Sequence, residues 1–335
     1  MCEIQIAIAK NEKGITKKEV AYLELLNQYA QPNNHDATGY FNALTTHKEK
    51  GVFSLIDHLD DIVGQQYLVV HNRFTTQASA NKNRNNHPFQ KGRWTLVHNG
   101  VIRNDGEIRA EHKKIKKHSG CDSFSFLYLF ESNYNRLLKK DMTEKKRVLK
   151  AIQKTVKKVE GYFSIAVMNN LTNKLYYFKC SSAQFYFGYN RSKLAYCSTS
   201  QDSLDRLKDV GVITKITEAP ADTLFEIDFD EQKLNKIGKF KYEDASSFYT
   251  PTTTTDWSFD TSYNEEQDIA KFDDILEYLN GTIPNYELDN GKAILREEQL
   301  LEGLSEYYWN IAKGKDGTIE IDLASLYGGG YYQWQ

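Results

Sequence analysis

The sequence has few cysteines, no long apolar run and almost no net charge. Its cysteines (Cys2, Cys121, Cys180, Cys197) show neither CxxC spacing nor a paired pattern, which disfavours a disulfide framework and a zinc site. No signal-peptide core and no apolar run of membrane-spanning length is present, so we expect a soluble, cytoplasmic protein that has no membrane partner. The net charge of −2 over 335 residues disfavours nucleic-acid binding. No metal and no cofactor is predicted.

The charges are nevertheless unevenly distributed. Lysines cluster between residues 113 and 158, whereas the chain after Asp256 is acidic. Such lysine runs on predicted helices are typical of solvated faces rather than of partner surfaces. The abundance of Asn, Lys and Tyr indicates an AT-rich genome, as in a virus or a low-GC bacterium.

Hydrophobic periodicity predicts helices in the first half of the chain and strands at both ends. The expected helices are Lys17–Tyr29, Ser54–Val63, Ser123–Leu138, Thr143–Val159 and a helical turn at Ser200–Leu207. The expected strands are Cys2–Ala9, Tyr67–His71, Trp94–His98, Tyr162–Met168, Lys174–Lys179, Phe185–Gly188, Lys193–Cys197 and Thr223–Asp228. This order favours an α+β layered fold over alternating βαβ units.

Composition divides the chain into three parts. Residues 2–240 carry the strands and helices, residues 241–268 are rich in Ser, Thr, Asp and Tyr and read as a linker, and residues 269–335 form a small acidic extension. Within the extension, Phe272–Asn280 and Glu297–Ile311 have helical spacing.

Cys2 follows the initiator Met directly and opens an alternating apolar strand. If Met1 is removed, this residue carries a thiol nucleophile and a free α-amine, whose pKa of about 7.7–8.0 suits it to act as the base. The simpler interpretation is a small apolar residue at a strand start. Three further segments favour the interpretation of Cys2 as a catalytic nucleophile.

The first two segments follow predicted strands. Arg73 stands in His71-Asn72-Arg73-Phe74-Thr75-Thr76, where it could bind a carboxylate with two hydrogen bonds or form a structural ion pair. Asn99-Gly100 is a strong hairpin signal. The same pair could instead present a side-chain amide and a backbone N–H to a developing oxyanion.

The third segment is Ser119-Gly120-Cys121-Asp122-Ser123, which opens an aromatic helix. Asp122 is expected to be the N-cap residue of this helix, and its carboxylate could also hold a substrate ammonium group. A cysteine nucleophile, an oxyanion site and binders for a carboxylate and an ammonium group together fit attack on the side-chain amide of glutamine or of a similar molecule.

These segments resemble the class II glutamine amidotransferases, which belong to the N-terminal-nucleophile hydrolases. The chain is similar to the glutaminase domains of glucosamine-6-phosphate synthase and glutamine phosphoribosylpyrophosphate amidotransferase over roughly residues 2 to 230. The matching pieces are Met1-Cys2, Asp36-Ala37-Thr38-Gly39, His71-Asn72-Arg73-Phe74-Thr75-Thr76, Asn85-Asn86-His87-Pro88-Phe89, His98-Asn99-Gly100, Ser119-Gly120-Cys121-Asp122 and Glu160-Gly161-Tyr162-Phe163-Ser164-Ile165-Ala166.

The resemblance implies a four-layer αββα sandwich with the active site between the sheets. It implies that Cys2 is the nucleophile and that Asn99 and Gly100 form the oxyanion hole. The implied glutamine-binding residues are Arg73 for the α-carboxylate, Asp122 for the α-ammonium group, and Thr76 and His87 beside them. Ammonia would pass to an acceptor site.

The sequence departs from the family in two ways. Gln77-Ala78-Ser79 stands where synthases often have His-Gly or Ala-Gly, and only about a hundred residues follow the glutaminase region. We therefore expect an ammonia-supplying subunit that serves a separate synthase, with homo-oligomerisation left open. Two alternatives remain, namely a hydrolase of larger γ-glutamyl amides and an inactive binding protein that retains Met1.

Overall fold

The computed structural model describes residues 2–76 and 78–243, and the backbone of strands at 287–289, 292–296, 310–313 and 318–322. The helices in this part of the chain are α1 (Lys17–Ala30), α2 (Leu59–Ile62), α3 (Asp105–Glu111), α4 (Ile115–His118), α5 (Asp122–Leu137), α6 (Glu144–Val156) and α7 (Gln201–Asp209). Short 3-10 turns occupy Gln31–Asn33, Leu55–His58 and Asn83–Asn85.

The strands form three antiparallel sheets. In chain order they are β1 (Glu3–Ile8), β2 (Ala37–Phe41), β3 (Thr46–Lys50), β4 (Tyr67–Arg73), β5 (Phe89–Lys91), β6 (Trp94–Ile102), β7 (Gly161–Asn169), β8 (Lys174–Lys179), β9 (Tyr186–Asn190), β10 (Lys193–Ser198), β11 (Lys215–Glu218), β12 (Thr223–Asp228), β13 (Lys233–Lys239), β14 (Glu287–Asp289), β15 (Lys292–Arg296), β16 (Asn310–Lys313) and β17 (Thr318–Asp322). The first sheet has the order β11-β9-β10-β1-β4-β2-β3, the second β13-β12-β8-β7-β6-β5, and the third β14-β15-β17-β16.

Side-chain alternation along the strands builds a four-layer αββα sandwich. In β1, Ile4, Ile6 and Ile8 belong to the core between the first two sheets, whereas Ala7 belongs to the core under α1 and α7. In β7, Ala166 and Met168 face the first sheet, and the residues between and beside them pack under α5 and α6. Because successive residues of a strand point to opposite faces, two central strands that are apolar on both faces require a layer on each side. The predicted α+β fold class is confirmed.

Local signals place the helix starts. Thr16 and Glu19 form a capping box at α1, and the hydroxyls of Ser54, Thr143 and Ser200 accept backbone N–H bonds at the starts of their helical segments. The helix predicted over Ser54–Val63 is a 3-10 turn followed by the four-residue α2.

Two details differ from the expectations at the end of the chain. Phe240 and Tyr242 are buried under the second sheet, and the Tyr242 hydroxyl donates to the Gly161 carbonyl at 2.5 Å. Packing therefore continues into the predicted linker. The helix expected over Glu297–Ile311 is wrong at its end, because Asn310 and Ile311 lie in β16. The helix expected over Phe272–Asn280 lies outside the described residues, as does most of the linker.

Candidate active site

Cys2 lies immediately before β1, in the middle of the first sheet. The antiparallel pairing of β1 with β4 sets Glu3 opposite Asn72, so Cys2 meets the residues that follow β4. Its Sγ accepts from the Phe74 N–H and donates to the Phe74 carbonyl, both at 3.3 Å. The residue is partly exposed, and the two hydrogen bonds hold the thiol in place.

The surroundings of Cys2 favour the neutral thiol. Burial of the sulfur raises the pKa of the Cys2 thiol, while the Phe74 backbone hydrogen bond and the Arg73 guanidinium act in the opposite direction. The Asp122 carboxylate raises this pKa further. Because a thiolate is the reactive form of cysteine, nucleophilic attack from this position needs a nearby base.

Arg73 is the last residue of β4 and is only 2% exposed. Its Nη1 donates to the Asn86 side-chain oxygen at 2.6 Å, and its Nη2 donates to the Ala78 carbonyl at 2.8 Å. Asn86 in turn donates to the Ala80 carbonyl at 3.0 Å. The guanidinium is thus held in one orientation by an amide and by a loop carbonyl, beside the Cys2 thiol.

Asp122 is the first residue of α5 and not its N-cap, which corrects the expectation from the sequence. The N-cap position belongs to Cys121, whose side chain makes no capping bond. The Asp122 Oδ2 accepts from the Ile102 N–H at 2.7 Å and its Oδ1 from the Ser123 N–H at 2.9 Å. The carboxylate therefore ties the start of α5 to the end of β6, where the helix dipole favours an anion.

Asn99 and Gly100 do not form a hairpin turn. They continue β6, where they pair with Ser164 and Phe163 of β7. Gly100 has φ of +148°, and a Cβ at this position would lie 2.1 Å from the Tyr162 carbonyl oxygen. The hairpin interpretation fails because the long β6–β7 ladder outweighs the local turn propensity of Asn-Gly. Both residues are partly exposed.

His87 lies in a buried cluster that the sequence did not reveal. Its Nε2 is 3.0 Å from the Ser123 Oγ, and its ring stacks on His71 with the centroids 3.9 Å apart. The His98 Nδ1 is 2.9 Å from the same Ser123 Oγ, and the His71 Nε2 is 3.0 Å from the His98 carbonyl. Burial lowers the pKa of His71 to about 3 and lowers those of His87 and His98 as well. The three rings therefore stay neutral at ordinary pH.

One sequence signal could have revealed this cluster. His71 and His98 each end an apolar strand run, Val69-Val70 and Leu96-Val97. A polar residue on a buried strand face needs a buried partner. The partner of the His98 ring, Ser123, depends on the packing of α5, and the partner of the His71 ring, the His98 carbonyl, depends on the packing of the two sheets.

The predicted residues are only partly brought together. Cys2 is bonded to the Phe74 backbone and lies in the electrostatic field of Arg73 and Asp122. Thr76 is exposed, and the neighbouring Thr75 N–H donates to the Asp36 carboxylate at 2.6 Å. Within the described residues, no group of three or more His, Cys, Asp or Glu side chains is arranged to hold a metal ion. The helices of the described part include none with the length and apolarity needed to span a membrane.

Comparison with known proteins matches residues 71–205 to the glutamine amidotransferase domain family. Residues 71–205 are therefore similar to a glutamine amidotransferase domain. A glutamine–fructose-6-phosphate aminotransferase (isomerizing) of Aquifex aeolicus (strain VF5) is 35% identical over 101 residues, which are 29% of this chain and 15% of that protein.

One solved structure shares the fold of residues 2–243, and a second is similar to part of the chain. The allosteric regulatory enzyme of purine biosynthesis has a TM-score of 0.50 and 13% identity, over 71% of this chain and 49% of that one. The glutamine phosphoribosylpyrophosphate amidotransferase of B. subtilis, complexed with ADP and GMP, has a TM-score of 0.48 and 12% identity over the same shares. The chain thus spans less than half the length of these relatives.

The matched range of the amidotransferase domain begins at His71. It includes Arg73, the β6 and β7 ladder and Asp122, and it leaves out Cys2. The role of the cysteine therefore depends on the site geometry alone.

The sequence departs from the family pattern at Gln77-Ala78, and the backbone of Ala78 has an unusual conformation there. Gln77 lies outside the described residues. Ala78 has φ of +60°, a left-handed conformation that glycine adopts without a steric penalty. The chain thus keeps the backbone bend that a glycine would favour, and the bend presents the Ala78 carbonyl to Arg73.

Proposed function

We propose that the domain hydrolyses glutamine to glutamate and ammonia through Cys2. The observation that carries the proposal is the position of the Cys2 thiol. It belongs to a partly exposed residue, is held by the Phe74 backbone, and lies in the field of a buried arginine and a carboxylate. A thiol flanked by groups of opposite charge suits a substrate whose two charged ends lie on one side of its reacting amide.

In this mechanism the α-amine of Cys2, freed by removal of Met1, takes the thiol proton. The sulfur attacks the amide carbon, and the C–N bond breaks as the amine returns its proton to the leaving nitrogen. Water then attacks the thioester and releases glutamate. The raised pKa of the Cys2 thiol supports a mechanism with a built-in base, because little thiolate is present before substrate binds.

We propose the substrate contacts that the resemblance to class II glutamine amidotransferases implies. Arg73 binds the α-carboxylate and Asp122 the α-ammonium group, with the Thr76 backbone beside them. The Asn99 side chain and the Gly100 N–H stabilise the oxyanion, and each such donor is typically worth about 3–4 kcal/mol in the transition state. His87 acts indirectly, because its ring is engaged with Ser123 and His71.

We further propose that the ammonia is consumed at an acceptor site outside residues 2–243. The named relatives transfer the amide nitrogen of glutamine to a sugar phosphate or to phosphoribosyl pyrophosphate.

The proposal is tested by intact mass spectrometry before and after treatment with 6-diazo-5-oxo-L-norleucine, a glutamine-like electrophile. We expect the mass of the chain without Met1, a single adduct in wild type and none in Cys2→Ala. The matched control is Cys197→Ala, which removes a buried thiol from the core between the sheets and should keep the adduct. Retained Met1 together with an unmodified wild type would refute the catalytic assignment.

A further inference from the structure

Lys48 lies on β3, an edge strand of the first sheet, and is partly buried. Its Nζ donates to the Asn86 carbonyl at 2.7 Å and to the Pro88 carbonyl at 2.9 Å. The same ammonium group lies 5.1 Å from the centre of the Phe89 ring. One side chain therefore holds two backbone carbonyls on either side of His87.

The His87 carbonyl, which lies between these two in the chain, packs directly against Gly39 on β2. A Cβ at Gly39 would lie 2.1 Å from the His87 carbonyl oxygen and 2.9 Å from the Lys48 Cβ. Gly39 is directly opposite Lys48 in the β2–β3 ladder. The segment 86–88 thus rests on the first sheet through three successive carbonyls, with Lys48 as the donor for the outer two.

The segment held by Lys48 also holds Arg73. The side chain of Asn86 accepts from the Arg73 guanidinium at 2.6 Å, and the neighbouring Asn85 accepts from the Gly120 N–H at 2.8 Å. Asn85 also donates to the Ser79 carbonyl at 2.9 Å. A shift of this segment would therefore move the arginine, the loop after β4 and the turn before Asp122 together.

The charge of Lys48 is sensitive to pH. Burial lowers the pKa of Lys48 to about 8, an effect that Cys121 opposes and that Arg73 reinforces. Among the described residues, Arg73 on β4, Cys121 before α5 and His87 are the titratable groups coupled to this ammonium. The ammonium also adds positive potential beside the proposed carboxylate site.

We propose that Lys48 is a positioning residue for glutamine binding, which acts by fixing the segment 86–88 and through it the Arg73 guanidinium. This inference rests on the proposed glutaminase function. Lys48 touches backbone carbonyls rather than the substrate site itself, so its loss should affect glutamine affinity more than the chemical step at Cys2.

The test measures steady-state glutaminase kinetics of wild type, Lys48→Met and Lys50→Met. Lys50 lies two residues along β3 and is exposed, so its replacement controls for the loss of a strand lysine. Since hydrogen bonds from charged donors are strong, we expect Lys48→Met to raise KM for glutamine about tenfold or more, with kcat changed less than about threefold.

The pH profile of Lys48→Arg provides a second readout. As pH rises through about 8 the wild-type ammonium is lost, so KM should rise there, whereas a guanidinium stays charged and KM should stay flat. The titration of the Cys2 amine is common to both proteins, so it cancels in the ratio of the two KM values at each pH. If Lys48→Met fails to fold, this comparison decides the question.

The outcomes separate the two proposals. An unchanged KM in Lys48→Met, an equal rise in Lys50→Met, a loss of kcat in Lys48→Met as large as the rise in KM, or the same alkaline rise of KM in Lys48→Arg would each overturn the role of Lys48 alone. A wild-type protein that neither hydrolyses nor binds glutamine would overturn the proposed function, and the role of Lys48 with it.

Discussion

At the scale of single residues, the backbone around Gly100 decides what the proposed oxyanion site can contain. The φ of +148° and the 2.1 Å approach of the Tyr162 carbonyl leave no room for a side chain. The sequence marks Asn99-Gly100 as special, but its local signal favours a turn, whereas the structure places the pair in an extended ladder. The sequence therefore predicts which residues are special at this site, but it does not predict their backbone conformation.

We expect Gly100→Ala to reduce glutamine hydrolysis at least a hundredfold, because the added Cβ must displace the β7 backbone and with it the Gly100 N–H. Steady-state kinetics and a circular dichroism spectrum check this. Gly106→Ala is the matched control, since Gly106 lies in α3 with open space around its Cβ. That variant should be fully active and about 0.5–1 kcal/mol more stable. Normal kinetics in Gly100→Ala would contradict the proposed oxyanion site.

At the scale of elements, the first turn of α5 organises the side of the site formed by the second sheet. Asp122 ties it to the end of β6, and Ser123 bridges His87 and His98. Arg109 on α3 donates to the Ser119 and Cys121 carbonyls, each at 2.6 Å, and so fixes the preceding turn. Helical periodicity in the sequence predicts α5 itself, but the partners of its first residues come from β6, α3 and the segment around His87.

We expect Ser123→Ala to lower the free energy of unfolding by about 2–4 kcal/mol, because it leaves two buried ring nitrogens without their hydroxyl partner. Urea denaturation measures this change. Ser125→Ala provides the comparison on the same helix, since the Ser125 hydroxyl is buried without a hydrogen-bond partner among the described residues. Its loss should change stability by less than about 1 kcal/mol or increase it. Equal effects of the two substitutions would argue against the histidine bridge.

At the scale of the whole molecule, the two large sheets meet through apolar side chains and through polar contacts, one of which is formed by a buried histidine. His71 on the first sheet bonds to the His98 carbonyl on the second. Burial lowers the pKa of His71 to about 3, so the neutral ring is a condition of the folded state. A histidine whose pKa is depressed by folding contributes stability above its unfolded pKa, near 6.5, and this stability is lost as the pH falls toward the folded value.

We expect His71→Gln to flatten the acid limb of the stability profile, because its amide can donate to the His98 carbonyl but cannot be protonated. One proton is worth about 1.4 kcal/mol per pH unit. Between pH 6.5 and 5 the wild type should therefore lose about 2 kcal/mol more than the variant, measured by urea denaturation at each pH. The same substitution at the exposed His118 should leave the slope of the free energy of unfolding against pH as it is in wild type. Parallel profiles for wild type and His71→Gln would refute the link between this ring and acid stability.

The amino-acid sequence by itself determined the layers and the list of site residues. Strand alternation, helical spacing with clear caps, and a cysteine beside Met1 are local properties, and they predict an α+β layered fold and a thiol site. The resemblance of the motifs to a known family implies the αββα sandwich and the further site residues. Tertiary structure decided what those residues do. It placed Asn99-Gly100 in a ladder instead of a turn and Asp122 after its cap. It also placed His87 in a buried cluster and Lys48 under the segment that holds Arg73. These outcomes depend on contacts between residues far apart in the chain, which local propensity and spacing do not encode.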